Sequence, residues 1–406
     1  MSIEIIQGHA LDVLSGLPDE SAHCVVTSPP YYGLRDYGLE PLVWGGEADC
    51  KHEWGKQGVK RVGRDWDPTA GESPVGRNYK GSSGQFCRLC GAWLGSLGLE
   101  PTPDLYVEHL VEIFREVRRV LKKDGILFLN LGDSYATGAG KVRDHPGGLK
   151  QGKRWQGPKI QPNRLPLPGL KPKDLIGIPW RVAFALQADG WWLRSDTIEE
   201  VELYCPCCGY VLEERIWRYS QDRDIIWHKP NTSPESVKDR PTKAHEYIFL
   251  LTKNKRYSFN ADAVKEPCRS GPSDIRKMRE KKDRIGGKNK TADDPKLAAS
   301  RHTNIGRKRA VGSPKGRNIR SVWKVATQPG SGEGVHFAPF PERLAETCIK
   351  AGCPEGGTVL DPFCGSGTVG VVAQRFGCRF IGIDLSPVYT DMAEQRTSQR
   401  TFLGAL

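Results

Sequence analysis

The earliest apolar runs are short. Ile3 to Ile6 and Ala22 to Val26 read as buried strands, with a helical stretch from Ala10 to Leu17 between them. The second run leads straight into Ser28-Pro29-Pro30, where prolines end sheet pairing because they have no N–H to donate. A helical period follows, with Val107, Leu110, Val111, Phe114, Val117 and Leu121 on one face. Thr102 is placed to cap that helix and Pro103 to open it, while Lys122-Lys123-Asp124-Gly125 supplies a basic last turn and a stop. Ile126 to Leu131 is unbroken and apolar, as in a strand covered on both faces. Ile178 to Ala188 predicts a helix, and Trp191 to Ile198 and Tyr247 to Thr252 are strands suited to antiparallel pairing. Near the C-terminus come a strand at Thr358 to Leu360, a glycine turn, a helix from Thr368 to Phe376, and a strand from Arg379 to Ile383 closing on Asp384. Strands alternating with helices predict an α/β fold, and there are no internal repeats.

Other stretches carry little periodicity. From Trp44 to Gly98 the chain turns to Gly, Cys, Trp and charged residues, predicting an irregular insertion. Thr137 to Lys173 reads as a basic loop rich in Gly and Pro. The 406 residues suffice for one large α/β domain and a smaller module. Their net charge of +12 is concentrated: 19 Lys and Arg face 6 Asp and Glu between Lys265 and Lys324. No amphipathic apolar face accompanies this excess, so it suits a phosphate backbone better than a membrane; the bland alternative is a solvated loop. No apolar run reaches the roughly 20 residues a bilayer needs, and Met1-Ser2-Ile3-Glu4 does not open a signal peptide. Twelve cysteines without an export signal predict metal ligands or free thiols in a cytoplasmic protein.

Gly365-Ser366-Gly367-Thr368-Val369-Gly370 is a G-x-G-x-x-G turn between strand and helix, with Asp384 closing the next strand. Such glycines let backbone approach a nucleoside cofactor, and such an acid can bind ribose hydroxyls. Taken alone, the turn fits a dinucleotide dehydrogenase equally well. Two features shift the reading: Asp361-Pro362-Phe363 sets a carboxylate where a cationic amino-acid moiety could lie, and no second nucleotide-binding half is apparent.

With Asp361-Pro362-Phe363-Cys364-Gly365-Ser366-Gly367-Thr368, the chain resembles the S-adenosylmethionine-dependent DNA amino-methyltransferases. The resemblance implies that Asp384 contacts the cofactor ribose and that His336 to Pro341 packs beside its methionine end. Thr27-Ser28-Pro29-Pro30-Tyr31 resembles the family's catalytic motif. An exocyclic amine on cytosine or adenine is a poor nucleophile, because its lone pair is delocalised into the ring. Ser28 Oγ and the Pro29 carbonyl can accept both amine hydrogens and aim that lone pair, with Pro30 fixing the turn and Tyr31 stacking on a flipped base. Catalytic motif first and cofactor motif last is the order of the β class. In that family Ser in the first position tends to accompany cytosine-N4 methylation, and Asp or Asn adenine-N6 methylation. Cytosine-C5 chemistry is disfavoured, since the one cysteine beside a motif proline, Cys364, lies in the cofactor turn. His9 departs from the relatives' common Asp and must substitute for it if that acid holds the adenine ring.

Cys50-x-His52 and Cys87-x-x-Cys90-Gly91 supply the ligand count of a structural tetrahedral zinc site, with free thiols the alternative. Cys205, Cys207 and Cys208 lie in a hairpin-like insertion with no second knuckle. The segments His228 to Asn231 and Lys238 to Glu246 border the active site or DNA by resemblance, or are solvated connections. Asp133 is either a pocket residue or a turn cap.

The expected fold is therefore a circularly permuted Rossmann-like methyltransferase sheet with a zinc-binding insertion and an irregular basic target-recognition region. Residues 1–43 carry the catalytic motif, 44–98 the insertion, 99–264 the continued domain with a hairpin at 199–224, 265–324 the basic region, and 325–406 the cofactor motif. The expected activity is methyl transfer to cytosine N4 in double-stranded DNA, in a restriction–modification, orphan or phage setting. A cognate restriction endonuclease is left open as a partner. Adenine-N6 methylation is the alternative, and a non-catalytic zinc-containing DNA-binding protein is the alternative of another class.

Overall fold

The computed structural model describes residues 2–34, 36–55, 59–60, 78–79, 85–136, 167, 169–194, 198–204, 211–219, 225–232, 234–267, 316–327 and 340–403. The chain divides into two units, Met1–Ser258 with Ser321–Leu406, and Phe259–Arg320.

In the first unit, β1 (Ile3–Gln7), α1 (Ala10–Gly16) and β2 (Ala22–Thr27) open the fold. Next come β3 (Leu42–Trp44), β4 (Trp54–Gly55), β5 (Val59–Lys60), β6 (Asn78–Tyr79), β7 (Gln85–Cys87) and β8 (Trp93–Gly95). Then α2 (Pro103–Val120), β9 (Leu121–Leu131), α3 (Ile178–Ala188), β10 (Trp192–Leu193), β11 (Ile198–Tyr204) and β12 (Val211–Tyr219) follow. The chain continues through β13 (Ile225–His228), β14 (His245–Thr252), β15 (Val322–Lys324), α4 (Glu342–Gly352), β16 (Thr358–Asp361), α5 (Thr368–Arg375), β17 (Arg379–Asp384) and α6 (Pro387–Leu403).

The main sheet has nine strands in the order β1-β17-β16-β2-β9-β14-β13-β15, with β10 also on β14. From β1 to β9 the neighbours are parallel; β14 is antiparallel to β9, β13 and β10. Strands from the C-terminal end of the chain thus lie between β1 and β2 from its N-terminal end, which is the permuted order expected. Alternate side chains serve opposite faces. Val25, Leu127, Leu129 and Leu360 join the core beneath α1, α2 and α3. On the other face, a Cβ at Gly352 of α4 would stand 2.9 Å from Cys24 Sγ and 3.0 Å from the Phe128 ring.

Several local expectations change. Thr102 caps α2 as predicted, accepting from the Leu105 N–H at 3.3 Å, but the helix ends at Val120 and β9 begins at Leu121. The β2–β9 register jumps from Ala22↔Leu121 to Cys24↔Ile126, so Lys122 to Gly125 form a bulge within the strand. Gly125 is there for space, because a Cβ would meet Leu121 at 2.6 Å and the His23 carbonyl at 2.9 Å. The buried stripe of α2 is also rotated: Tyr106, His109, Ile113 and Val120 are buried, whereas Val107 and Val111 are only half-buried. Overlapping i, i+3 and i, i+4 sets on this helix admit either face, and the sheet selects one. Trp191 to Ile198 is not one strand; β10 stops at Leu193, and Ile198 opens the β11–β12 hairpin. Nor is the described part of the 44–98 insertion irregular: β3-β8-β7-β4 form an antiparallel sheet of strands too short to show alternation.

In the second unit, the Glu266 carboxylate accepts from Arg317 Nε at 3.0 Å and Arg320 Nε at 2.9 Å. Most of the basic region, the 205–210 cysteines, His336 to Ala338 and nearly all of Thr137 to Lys173 lie outside the described residues.

Candidate active site

Because β1, β17, β16, β2 and β9 run parallel, their carboxyl ends meet at one edge, and a cavity of about 520 Å³ opens there. It unites the two distant motifs: Ser28, Pro29, Pro30 and Tyr31 line it together with Asp361, Pro362, Phe363, Gly365, Ser366, Thr368 and Asp384. Gly367 does not line it. That residue opens α5 at φ +75°, and a Cβ there would stand 2.8 Å from Ala393 Cβ of α6, so its role is close packing.

At the cofactor turn, Thr27 Oγ1 donates to Asp361 Oδ1 at 2.6 Å and the Phe363 N–H to the same oxygen at 3.1 Å. Burial, aided by the charge of Asp384, outweighs these donors and pushes the Asp361 carboxyl up to about 7. Asp384 accepts from the N–H groups of Gly365 and Ser386, each at 2.9 Å, and burial raises its pKa as well. From α6, Arg396 donates to the Ser366 carbonyl at 2.6 Å and its hydroxyl at 2.8 Å, holding the glycine turn. His9 lines the same end of the cavity beside Gly8, whose N–H bonds the Asp384 carbonyl at 3.0 Å. Its ring meets Trp44 edge-on at 4.7 Å, its Nε2 is buried without a partner among the described residues, and burial lowers its pKa.

At the catalytic turn, the Tyr106 hydroxyl occupies the Pro30 carbonyl at 2.7 Å, while the Pro29 carbonyl accepts nothing from the described residues. Ser28 Oγ lies 3.2 Å from the Tyr31 hydroxyl and 3.4 Å from Asn130 Oδ1. The Tyr31 ring packs over Gly132, where a Cβ would approach it to 2.5 Å. Its hydroxyl lies 2.9 Å from Asn130 Oδ1 and 2.8 Å from Glu246 Oε2. Glu246 in turn pairs with Lys229, whose ammonium sits 4.2 Å over the Trp227 ring.

Sequence reasoning did not single out Asn130, Lys229, Glu246, Trp227 or Trp44 as site residues, though some fell within flagged segments. The β13–β14 register, Trp227↔Glu246, brings Trp227, Lys229 and Glu246 together, and the β14–β9 register sets Asn130 opposite Ile248; nothing along the chain shows either register. Asp133 is the turn cap: its Oδ1 accepts from the N–H groups of Ser134, Gly177 and Ile178 at 2.8, 3.1 and 3.2 Å. It does not line the cavity.

The donor atoms of Cys50, His52, Cys87 and Cys90 all lie within 4.8 Å of one another. Cys50 Sγ is 3.8 Å from Cys87 Sγ, and Cys90 Sγ is 3.4 Å from His52 Nδ1. A tetrahedron with ordinary zinc–ligand bonds has edges of about 3.5 to 3.8 Å, so the donor set fits that ion.

A family model described as DNA methylase, covering N6 and N4 methyltransferases, matches residues 22–395. The chain belongs to this family. This DNA methylase is 36% identical over 400 residues to the Type II methyltransferase M.SmaI of Serratia marcescens, spanning 98% of this chain and 92% of that one. It is 35% identical to M.Cfr9I of Citrobacter freundii, over 97% of this chain and 86% of the relative. Among solved structures, the PvuII DNA methyltransferase, described as cytosine-N4-specific, aligns over 98% of this chain and 86% of its own at 15% identity and a TM-score of 0.47. No helix among the described residues is long and apolar enough to cross a membrane.

Proposed function

We propose that this DNA methylase transfers the methyl of S-adenosylmethionine to N4 of cytosine in double-stranded DNA, as a Type II modification enzyme. The observation that carries the reading is the single cavity joining Ser28-Pro29-Pro30-Tyr31 to the Asp361–Thr368 turn and Asp384. S-adenosylmethionine, when bound, supplies a methyl on a cationic sulfur. Asp361 offers its carboxylate to the cofactor's amino group, and Asp384 its remaining lone pairs to the ribose. His9 Nε2, unpartnered in the wall, is available to the adenine ring in place of the relatives' acid.

On the substrate side, Ser28 Oγ and the free Pro29 carbonyl accept the two amine hydrogens and hold the nitrogen pyramidal. Tyr31 stacks on the flipped base. Serine, rather than an acidic or amide side chain, at the first motif position favours cytosine. The four-ligand cluster at Cys50, His52, Cys87 and Cys90 holds a structural zinc, which fixes two knuckles of an insertion with little core of its own.

Ser28→Ala removes one of the two acceptors. Methyl incorporation into duplex DNA should fall roughly 10²-fold or more, while S-adenosylmethionine binding, measured by calorimetry, is retained. Full activity in Ser28→Ala contradicts the assignment. A protein that binds DNA but neither binds S-adenosylmethionine nor transfers a methyl group would be the non-catalytic alternative.

A further inference from the structure

We propose that Glu246 is the terminal acceptor of the proton that the target amine sheds, reached through the hydroxyls of Ser28 and Tyr31. The inference rests on amine methylation at this site and holds for either base. As the nitrogen lone pair forms the new bond to carbon, the carbon–sulfur pair stays on sulfur, which becomes neutral. The nitrogen is left cationic, and one N–H proton must leave it.

A path for that proton is laid out in the wall. With the amine hydrogen on Ser28 Oγ as proposed above, the path continues from Ser28 Oγ to the Tyr31 hydroxyl at 3.2 Å and from that hydroxyl to Glu246 Oε2 at 2.8 Å. Ser28 gains the amine proton and passes its own to Tyr31 Oη. Tyr31 passes its own to the carboxylate, leaving a neutral methylated amine, two unchanged hydroxyls and a neutral Glu246. No oxidant or further reactant is needed.

The neighbouring groups leave this task to Glu246. Asn130 lies as close to Tyr31, at 2.9 Å, but it is an amide and has no basic lone pair to take a proton. Its Nδ2 donates to the Tyr247 carbonyl at 3.0 Å, which turns Oδ1 toward the two hydroxyls and makes it a guide for them. Asp361 and Asp384 are carboxylates of the same cavity, but they are held at the cofactor turn by Thr27 and backbone donors. Lys229 pairs with the carboxylate, while Lys243 and His245 act on it electrostatically from its own strand and the turn before it. A carboxylate oxygen at the end of the path offers the basic lone pair that the Asn130 amide lacks. Burial and the charge of Glu246 raise the Tyr31 phenol, so Tyr31 relays a proton without ionising.

Single-turnover methyl transfer from labelled S-adenosylmethionine to duplex DNA tests the relay, with cofactor and DNA affinities measured separately. Glu246→Gln keeps size and one acceptor but cannot take the proton, and Tyr31→Phe removes only the hydroxyl. Each should slow transfer roughly 10²-fold with both affinities preserved, and Glu246→Asp should recover part of the rate. Because the two act in series, the double variant should match the slower single within about twofold. A wild-type rate in Glu246→Gln, or losses that multiply in the double variant, overturns the relay. If Glu246→Gln no longer binds cofactor, Tyr31→Phe decides alone, and a wild-type rate there is equally fatal. A wild-type protein that transfers no methyl to DNA overturns the reading of the site, and the relay with it.

Discussion

Asp361 is buried at the junction of the two motifs, with Thr27 as its side-chain partner. Its carboxyl, raised to about 7 by burial and by Asp384, holds its proton through the mildly acidic range. The ionised form is the one that attracts a cationic amine. Affinity for S-adenosylmethionine should therefore strengthen as pH rises through about 7, and Asp361→Asn should flatten that dependence in calorimetric titrations. Stability runs the other way. The folded state holds a proton that the unfolded chain releases at the ordinary carboxylate value, so the contribution is present at low pH and lost as pH rises to about 7. A flat affinity profile in the wild type would show that Asp361 does not face the cofactor's charge. Asp361 was legible in the sequence because a carboxylate ahead of a glycine turn is a local pattern. Glu246 and Lys229 were not, because cross-strand register gives them their role, and each reads as a polar residue at a strand end. His9 was visible only as a departure, and the structure sets it in the cavity wall.

At the scale of elements, the insertion is tied to the site through aromatic contacts. Trp44 of β3 stacks on His109 of α2 at 4.5 Å and donates through Nε1 to the Gly95 carbonyl at 3.0 Å. Trp93 of β8 lies against the same imidazole at 5.4 Å, and His109 in turn pairs with the buried Glu100 at 3.0 Å. The Cys87–Cys90 knuckle joins β7 to β8, and the Cys87 N–H donates to the Ala92 carbonyl at 2.7 Å. Metal bound at the knuckles, as proposed above, would steady Trp44, which lines the cavity beside His9. Purified protein should carry about one zinc per chain by elemental analysis. Chelation or Cys90→Ser should weaken S-adenosylmethionine binding although Cys50, His52, Cys87 and Cys90 do not line the cavity. Unchanged binding after complete metal removal would separate the insertion from the site. Strands and helices of the sheet were readable because they are long or strictly apolar, as Ile126 to Leu131 and the capped α2 show. The boundary between them was not. Lys122 to Gly125 looks like a helix stop, yet β2 draws it into the sheet as a bulge, a tertiary choice that local propensity cannot anticipate.

Across the whole molecule, the permuted strand order places β16, which leads into the Asp361–Thr368 turn, beside β2, which leads into Ser28–Tyr31, so motifs far apart in the chain share one edge. The order of the motifs pointed to a permuted fold by resemblance, while the parallel pairing that sets them on one edge is a property of the folded sheet. The basic excess between Lys265 and Lys324 falls between the motifs in the sequence, and we assign it contacts with the phosphate backbone, which give affinity without specifying sequence. Equilibrium binding to duplex DNA should weaken steeply with salt, log affinity falling by about 0.9 per phosphate contact for each tenfold rise in concentration. Replacing Lys and Arg of this segment with Gln should shallow that slope and leave S-adenosylmethionine affinity unchanged. The base choice rests on the smallest feature of all, a serine at position 28. Mass spectrometry of nucleosides digested from the DNA of a host expressing the protein tests it most directly. N4-methylcytosine that disappears with Ser28→Ala is the predicted result; N6-methyladenine in its place, or no methylated base, would contradict it.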